Sequence, residues 1–200
     1  MQITPHQFNL FPLILFILIW CNTSKRTMLL RTHYVFSTGI LTFLGSLITR
    51  DPFGTLIFAG IVSVLANSLI DRLGHEMVWV EGKYLPRRTP LTHTWFRSIL
   101  WGSLVTAAVT LLAYFALNSS HYHYSYFQLR ELFTLAVIYG VLVGPTHMLL
   151  DVFTERGIYV KRNGRWVRYA LAHFRYNDPL ANGLAVLGGM VLLFTAFSAV

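Results

Sequence analysis

Six residues of this chain have the types and spacing to bind a metal ion. They are His33, Asp71, His75, His93, His147 and Asp151, and each stands where an apolar run meets the polar segment beside it. Four residues along a helix turn about 400°, so His147 and Asp151 project from one face, as do Asp71 and His75 if the helix reaches that far. Each pair can offer two donors to one ion. Neutral imidazole with carboxylate suits zinc first, with manganese or iron as alternatives, and the single cysteine, Cys21, excludes a cysteine-rich zinc knuckle. Asp151 is the hardest of the six to explain without a partner, because it lies inside an apolar stretch. An ionised aspartate at a bilayer centre costs about 2.5–3.5 kcal/mol, less near the interface, unless something compensates it. A metal or a histidine network would supply the compensation.

The elements that must position these residues are apolar runs. Of the 200 residues, 54% are hydrophobic and 12% charged, about half the charged share usual in soluble domains. Runs of spanning length or close to it occupy residues 34–49, 53–70, 98–117, 132–153 and 182–200. The expected fold class is therefore an all-α integral membrane protein of about five transmembrane helices. Residues 10–21 are a possible sixth apolar segment, short and broken by Pro12. The chain from Met28 onward reads as one membrane-embedded unit, with residues 1–27 a dispensable extension. Ser37, Thr38 and Ser46 in the first run can bond back to the helix backbone and so cost little in lipid.

The net charge of +8 has a topological reading. If Met28 starts on the inner side, segments 22–33, 71–97 and 154–181 hold fourteen of the sixteen basic residues, and the outer segments hold only Arg50 and Arg130. That asymmetry places a multi-pass protein in the cell membrane with all six candidate ligands at its cytoplasmic face. It accounts for the positive charge without a specific nucleic-acid partner. His6, His121 and His123 fall elsewhere, and His173 lies late in the last inner loop. The two large inner loops each predict a small β-hairpin, one turning at Glu81-Gly82 and one at Asn163-Gly164. Their tryptophans, tyrosines and arginines suit the headgroup layer, so the bilayer and its anionic lipid headgroups are the expected partners.

Three further groups could complete a site. Glu76, beside His75, could act as general base or could orient an imidazole. Arg87 and Arg88, upstream of His93, could meet a phosphate or simply fix topology. Thr92 and Thr94 are suited to capping the third helix or bonding to ligands. No Gly-rich phosphate loop, Gly-x-Ser-x-Gly elbow or complete HExxH motif is present.

Taken together, these motifs resemble the predicted membrane-bound metal-dependent hydrolases, the YdjM-like family described as LexA-binding and inner-membrane associated. The similarity is greatest to its archaeal and archaeal-virus branch of unknown function. It runs from about Met28 to the C-terminus and is carried by Arg31-Thr32-His33-Tyr34-Val35-Phe36-Ser37, Asp71 with His75, Thr92-His93-Thr94, and His147 through Asp151 to Thr154 and Gly157. The resemblance implies His33, Asp71, His93, His147 and Asp151 as ligands. Better-known members place a histidine directly after the aspartate of the second span, where this chain has Arg72 and reaches His75 four positions after Asp71. They also carry His-Arg-Gly where this chain has Arg88-Thr89-Pro90, which leaves one histidine fewer.

The implied activity is hydrolysis of a phosphoester or related bond in a lipid or membrane-proximal substrate, with Glu76 and Arg88 as the candidate catalytic pair. The alternative is a non-catalytic membrane protein whose metal clamps helix ends and whose basic hairpins meet a protein or anionic-lipid partner.

Overall fold

A computed structural model of the chain describes residues 28–119 and 126–199. It is mostly helical. Five long helices, α1 (Met28–Thr49), α2 (Pro52–Gly74), α3 (Trp95–Ser119), α4 (Tyr126–Asp151) and α5 (Pro179–Ser198), are interrupted by two hairpins. The first hairpin pairs β1 (His75–Val80) with β2 (Lys83–Arg88) between α2 and α3, and the second pairs β3 (Ile158–Arg162) with β4 (Arg165–Tyr169) between α4 and α5. The apolar segment at residues 10–21 and the extension at residues 1–27 lie outside the described residues, as do His6, His121 and His123.

Four of the helices, α2 to α5, are long and apolar enough to cross a membrane. This is one fewer than the sequence reading expects. The first, α1, is a helix of 22 residues, but Arg31, Thr32, His33, Ser37, Thr38, Ser46 and Thr49 dilute its apolar character. It extends six residues ahead of the apolar run at Tyr34 because its first turns pack against protein. Thr32 donates to Asn182 of α5 at 2.7 Å, and Tyr34 shares a 2.5 Å hydrogen bond with Ser68 of α2.

Helix boundaries follow from the sequence chemistry. Asp51 caps α2 by accepting from the Gly54 amide at 3.0 Å, with Pro52 in the first turn, and Asp178 and Pro179 repeat the device at α5. Thr94 caps α3 through the Arg97 amide at 3.2 Å. Both hairpins turn on two residues of positive φ, Glu81-Gly82 and Asn163-Gly164, the geometry that tight antiparallel connections favour.

The helices pack closely where small residues meet. On α4, Gly140 and Gly144 lie four apart and face Ser98, Gly102 and Ser103 of α3. A Cβ at Gly144 would strike the Ser98 carbonyl, so this contact requires glycine. Leu41, Val62, Ala66, Tyr139 and Val143 form the central core. Polar contacts run through the same interior: Ser37 bonds Thr146 at 2.7 Å and accepts from Asn67 at 3.3 Å. Outward, α5 presents Leu180, Leu184, Leu187, Val191 and Phe194, an apolar exterior of the kind lipid can cover.

Candidate metal centre

The six residues named from sequence converge at one end of the bundle. They arrive from four places along the chain. His33 comes from the first turns of α1, Asp71 from the last turn of α2, and His75 from the first residue of β1. His93 stands in the loop before α3, while His147 and Asp151 come from the last turns of α4. They form two groups of donors, His33 with His147 and Asp151, and Asp71 with His75 and His93, either of which could hold a metal ion.

The contacts between these groups are what join them. Asp71 Oδ1 lies 3.6 Å from Nε2 of both His93 and His147. Asp151 Oδ2 lies 3.5 Å from His93 Nε2 and 3.4 Å from His147 Nε2. Four donor atoms from three stretches of chain thus close a ring in which each carboxylate oxygen lies 3.4–3.6 Å from both imidazole nitrogens. Neighbouring donors on one ion with bonds of about 2.1 Å lie about 3.0–3.4 Å apart, close to these four separations.

Hydrogen bonds outside the cluster decide which atoms face inward. Thr92 has one hydroxyl proton and gives it to the Ile70 carbonyl at 2.8 Å, so at 3.0 Å it accepts from His93 Nδ1–H. Asn67 donates its amide to the Ser63 carbonyl at 2.7 Å, which turns Oδ1 toward His147 to accept from Nδ1–H at 2.8 Å. His75 Nδ1–H donates to the Asp71 carbonyl at 2.7 Å. In each ring the proton is on Nδ1, and Nε2 keeps a lone pair.

This arrangement is unfavourable without a cation. Nε2 of His93, Nε2 of His147 and Oδ2 of Asp151 are buried with no hydrogen-bond partner. Unpaired buried acceptors facing one another each carry a desolvation cost of about 1–3 kcal/mol. An ion placed among them satisfies all of them at once. Burial pushes the His93 imidazole below its ordinary pKa, against the upward pull of Asp71 and Asp151, which keeps the ring neutral as a ligand must be.

The remaining ligand candidates flank this set. His33 stacks flat on His147, ring centres 3.9 Å apart and planes 8° from parallel, with Nε2 3.4 Å from Asp151 Oδ1. His75 stands edge-on to His93 at 5.1 Å. Access is from one side only: Asp71 and His75 are 25% and 20% exposed, whereas His33, His93, His147 and Asp151 are at or below 1%. Gly74 makes the approach possible, since a Cβ there would collide with Thr92 and the His93 ring.

The two candidate catalytic residues go to different places. In the first hairpin His75 pairs with Arg88 and Glu76 with Arg87. Successive strand residues face opposite sides, so His75 and Arg88 turn to the centre while Glu76 turns away and meets Arg87 at 3.9 Å. Glu76 is thus not brought to the centre. Arg88 is, but its guanidinium is buried against protein: one nitrogen donates to Asp151 Oδ1 at 2.6 Å, the other to the Gly157 carbonyl at 2.9 Å and Thr154 at 3.3 Å. Tyr159 of β3 reinforces it, its hydroxyl donating to the Arg88 carbonyl at 2.9 Å and its amide to the His93 carbonyl at 2.7 Å.

Sequence reasoning missed Arg88 as the partner of Asp151 and missed Asn67 altogether. An asparagine in the middle of the apolar run 53–70 is itself a signal, because an amide in such a run needs a polar partner. Thr92 and Thr94 behave as their types suggest, the first bonded to a ligand and the second capping α3.

No curated protein and no solved structure matches the chain. A family model described as "Protein of unknown function (DUF1286)" matches residues 28–150, which include five of the six converging residues and stop one short of Asp151. The stretch whose ends gather at this centre is the stretch the family shares, and the chain belongs to that family.

Proposed function

We propose that this chain is a multi-pass membrane protein with a zinc-type, metal-dependent hydrolytic centre at the cytoplasmic face. Its substrate on this reading is a phosphoester or related bond of a lipid or membrane-proximal molecule, as the resemblance to the YdjM-like hydrolases suggests. The observation that carries the reading is the convergence of His93 Nε2, His147 Nε2, Asp71 Oδ1 and Asp151 Oδ2 at 3.4–3.6 Å, with the imidazole lone pairs aimed inward. Four apolar helices of spanning length and the concentration of basic residues in the segments beside the centre support the placement.

A bound zinc ion would polarise the scissile group and lower the pKa of a water toward about 7. The chain's own residues supply the rest. Asp71, the one carboxylate of the centre open to solvent, would orient a water entering from that side. His147 and His93 hold their positions through Asn67 and Thr92. Asp151 is kept ionised in an apolar surrounding by Arg88.

A second reading, a structural metal that clamps helix ends, is favoured by one observation: Glu76 faces away, so no separate general base stands at the centre. The two divide in one experiment. Protein purified in detergent without chelators is assayed for bound metal and for hydrolysis of bis(p-nitrophenyl) phosphate and of phospholipid in mixed micelles. We expect stoichiometric metal and turnover in the wild type and loss of both in His93→Ala and Asp151→Ala. Metal without turnover on any phosphoester supports the clamp, and a metal-free wild type after zinc supplementation defeats both.

A further inference from the structure

We propose that the centre takes a single divalent cation per chain, and that the Arg88 guanidinium occupies the position on Asp151 Oδ1 that a second ion would take. This rests on the metal-centre reading above. The donor atoms form two neighbouring groups, and Asp151 reaches both: it belongs to the first with His33 and His147, and its Oδ2 lies 3.5 Å from His93 of the second, so it is the carboxylate that would bridge two ions. A bridge needs both carboxylate oxygens. Oδ2 faces His93 and His147, while Oδ1 faces His33 at 3.4 Å and is already bound by Arg88 at 2.6 Å.

Arg88 is not poised to leave. It is 7% exposed, and its other nitrogen is tied to Thr154 and Gly157. Moving it aside would strand a buried positive charge next to an incoming dication, an uncompensated arrangement that low-dielectric interiors strongly disfavour. Charge count agrees. The Asp71 and Asp151 carboxylates with the Arg88 guanidinium carry one net negative charge, which one dication reverses to one positive charge. A second dication would leave three positive charges in the same buried space. His33 then has a role other than ligand: it stacks on His147 and borders the position that Arg88 fills.

The test is zinc stoichiometry of full-length protein stripped by chelator, reloaded with excess zinc, desalted and measured by elemental analysis. Monodisperse elution and thermal unfolding in detergent report folding. The wild type and Arg88→Lys should bind one zinc per chain, and so should His33→Ala. Arg88→His, which removes the fixed charge and adds an imidazole beside His33, should bind two. Two zinc ions in the wild type overturn the proposal, as does a folded Arg88→His that stays at one, or a folded His33→Ala that loses its ion. If Arg88→His does not fold, the wild-type and His33→Ala counts still decide. No zinc in the wild type defeats the metal-centre reading itself, a distinct outcome.

Discussion

At the residue scale, the centre is defined as much by the groups behind the ligands as by the ligands. Thr92 illustrates this: its single proton goes to the Ile70 carbonyl, so it can only accept from His93, and that fixes which ring nitrogen faces the cluster. Thr92→Val keeps the shape but removes the acceptor, leaving His93 free to place its proton on Nε2. Loss of such an outer partner typically weakens metal affinity about 10–100-fold. Competition with a chromogenic chelator should show a weakening of that order in Thr92→Val with zinc stoichiometry at saturation unchanged. An affinity equal to wild type would mean that the hydroxyl does not set the tautomer. The candidate donors were legible in the sequence because histidine and aspartate recur together at the ends of the apolar runs, all on one side of the charge asymmetry. Their supporting partners were less so. Arg88 and Asp151 are 63 positions apart, and no local spacing rule links them.

At the element scale, the devices readable from sequence are those with local causes. The turns expected at Glu81-Gly82 and Asn163-Gly164 form, and Asp51-Pro52 and Asp178-Pro179 begin α2 and α5 by the same kind of local device. What local chemistry leaves open is phase. Whether His75 or Glu76 faces the centre depends on α2 ending at Gly74 and β1 beginning at once, and a boundary one residue later would exchange them. The α3–α4 contact is a second case, because the glycine spacing on α4 announces a close approach without naming the partner. Gly144→Leu should therefore disrupt it. A side chain pointing at the Ser98 backbone must push α3 away, and His147, one turn on, moves with α4. We expect a large drop in the detergent unfolding temperature together with loss of bound zinc, while Gly60→Leu, at a position with open space around its Cβ, should leave both near wild type.

At the scale of the whole molecule, the charge distribution and the position of the candidate centre lead to one prediction: the hairpins and the candidate ligands share a side of the membrane. In a Cys21→Ser background, cysteines placed at Asn163 and Lys83 should react with a membrane-impermeant maleimide only in inverted vesicles. A cysteine at Arg50 should react only from outside the intact cell. The opposite pattern for either group would remove the cytoplasmic assignment. The same layout bears on how the protein is made. Its six converging residues leave the ribosome in the order His33, Asp71, His75, His93, His147, Asp151, and the bonds that aim them join residues as far apart as Asn67 and His147. Until α4 has been threaded into place beside α1 and α2, half of the set formed by Asp71, His93, His147 and Asp151 is missing and nothing fixes the His147 ring. On the metal-centre proposal, metal capture would be a late event in biogenesis, and a bound ion would certify that three separate stretches of chain have found one another.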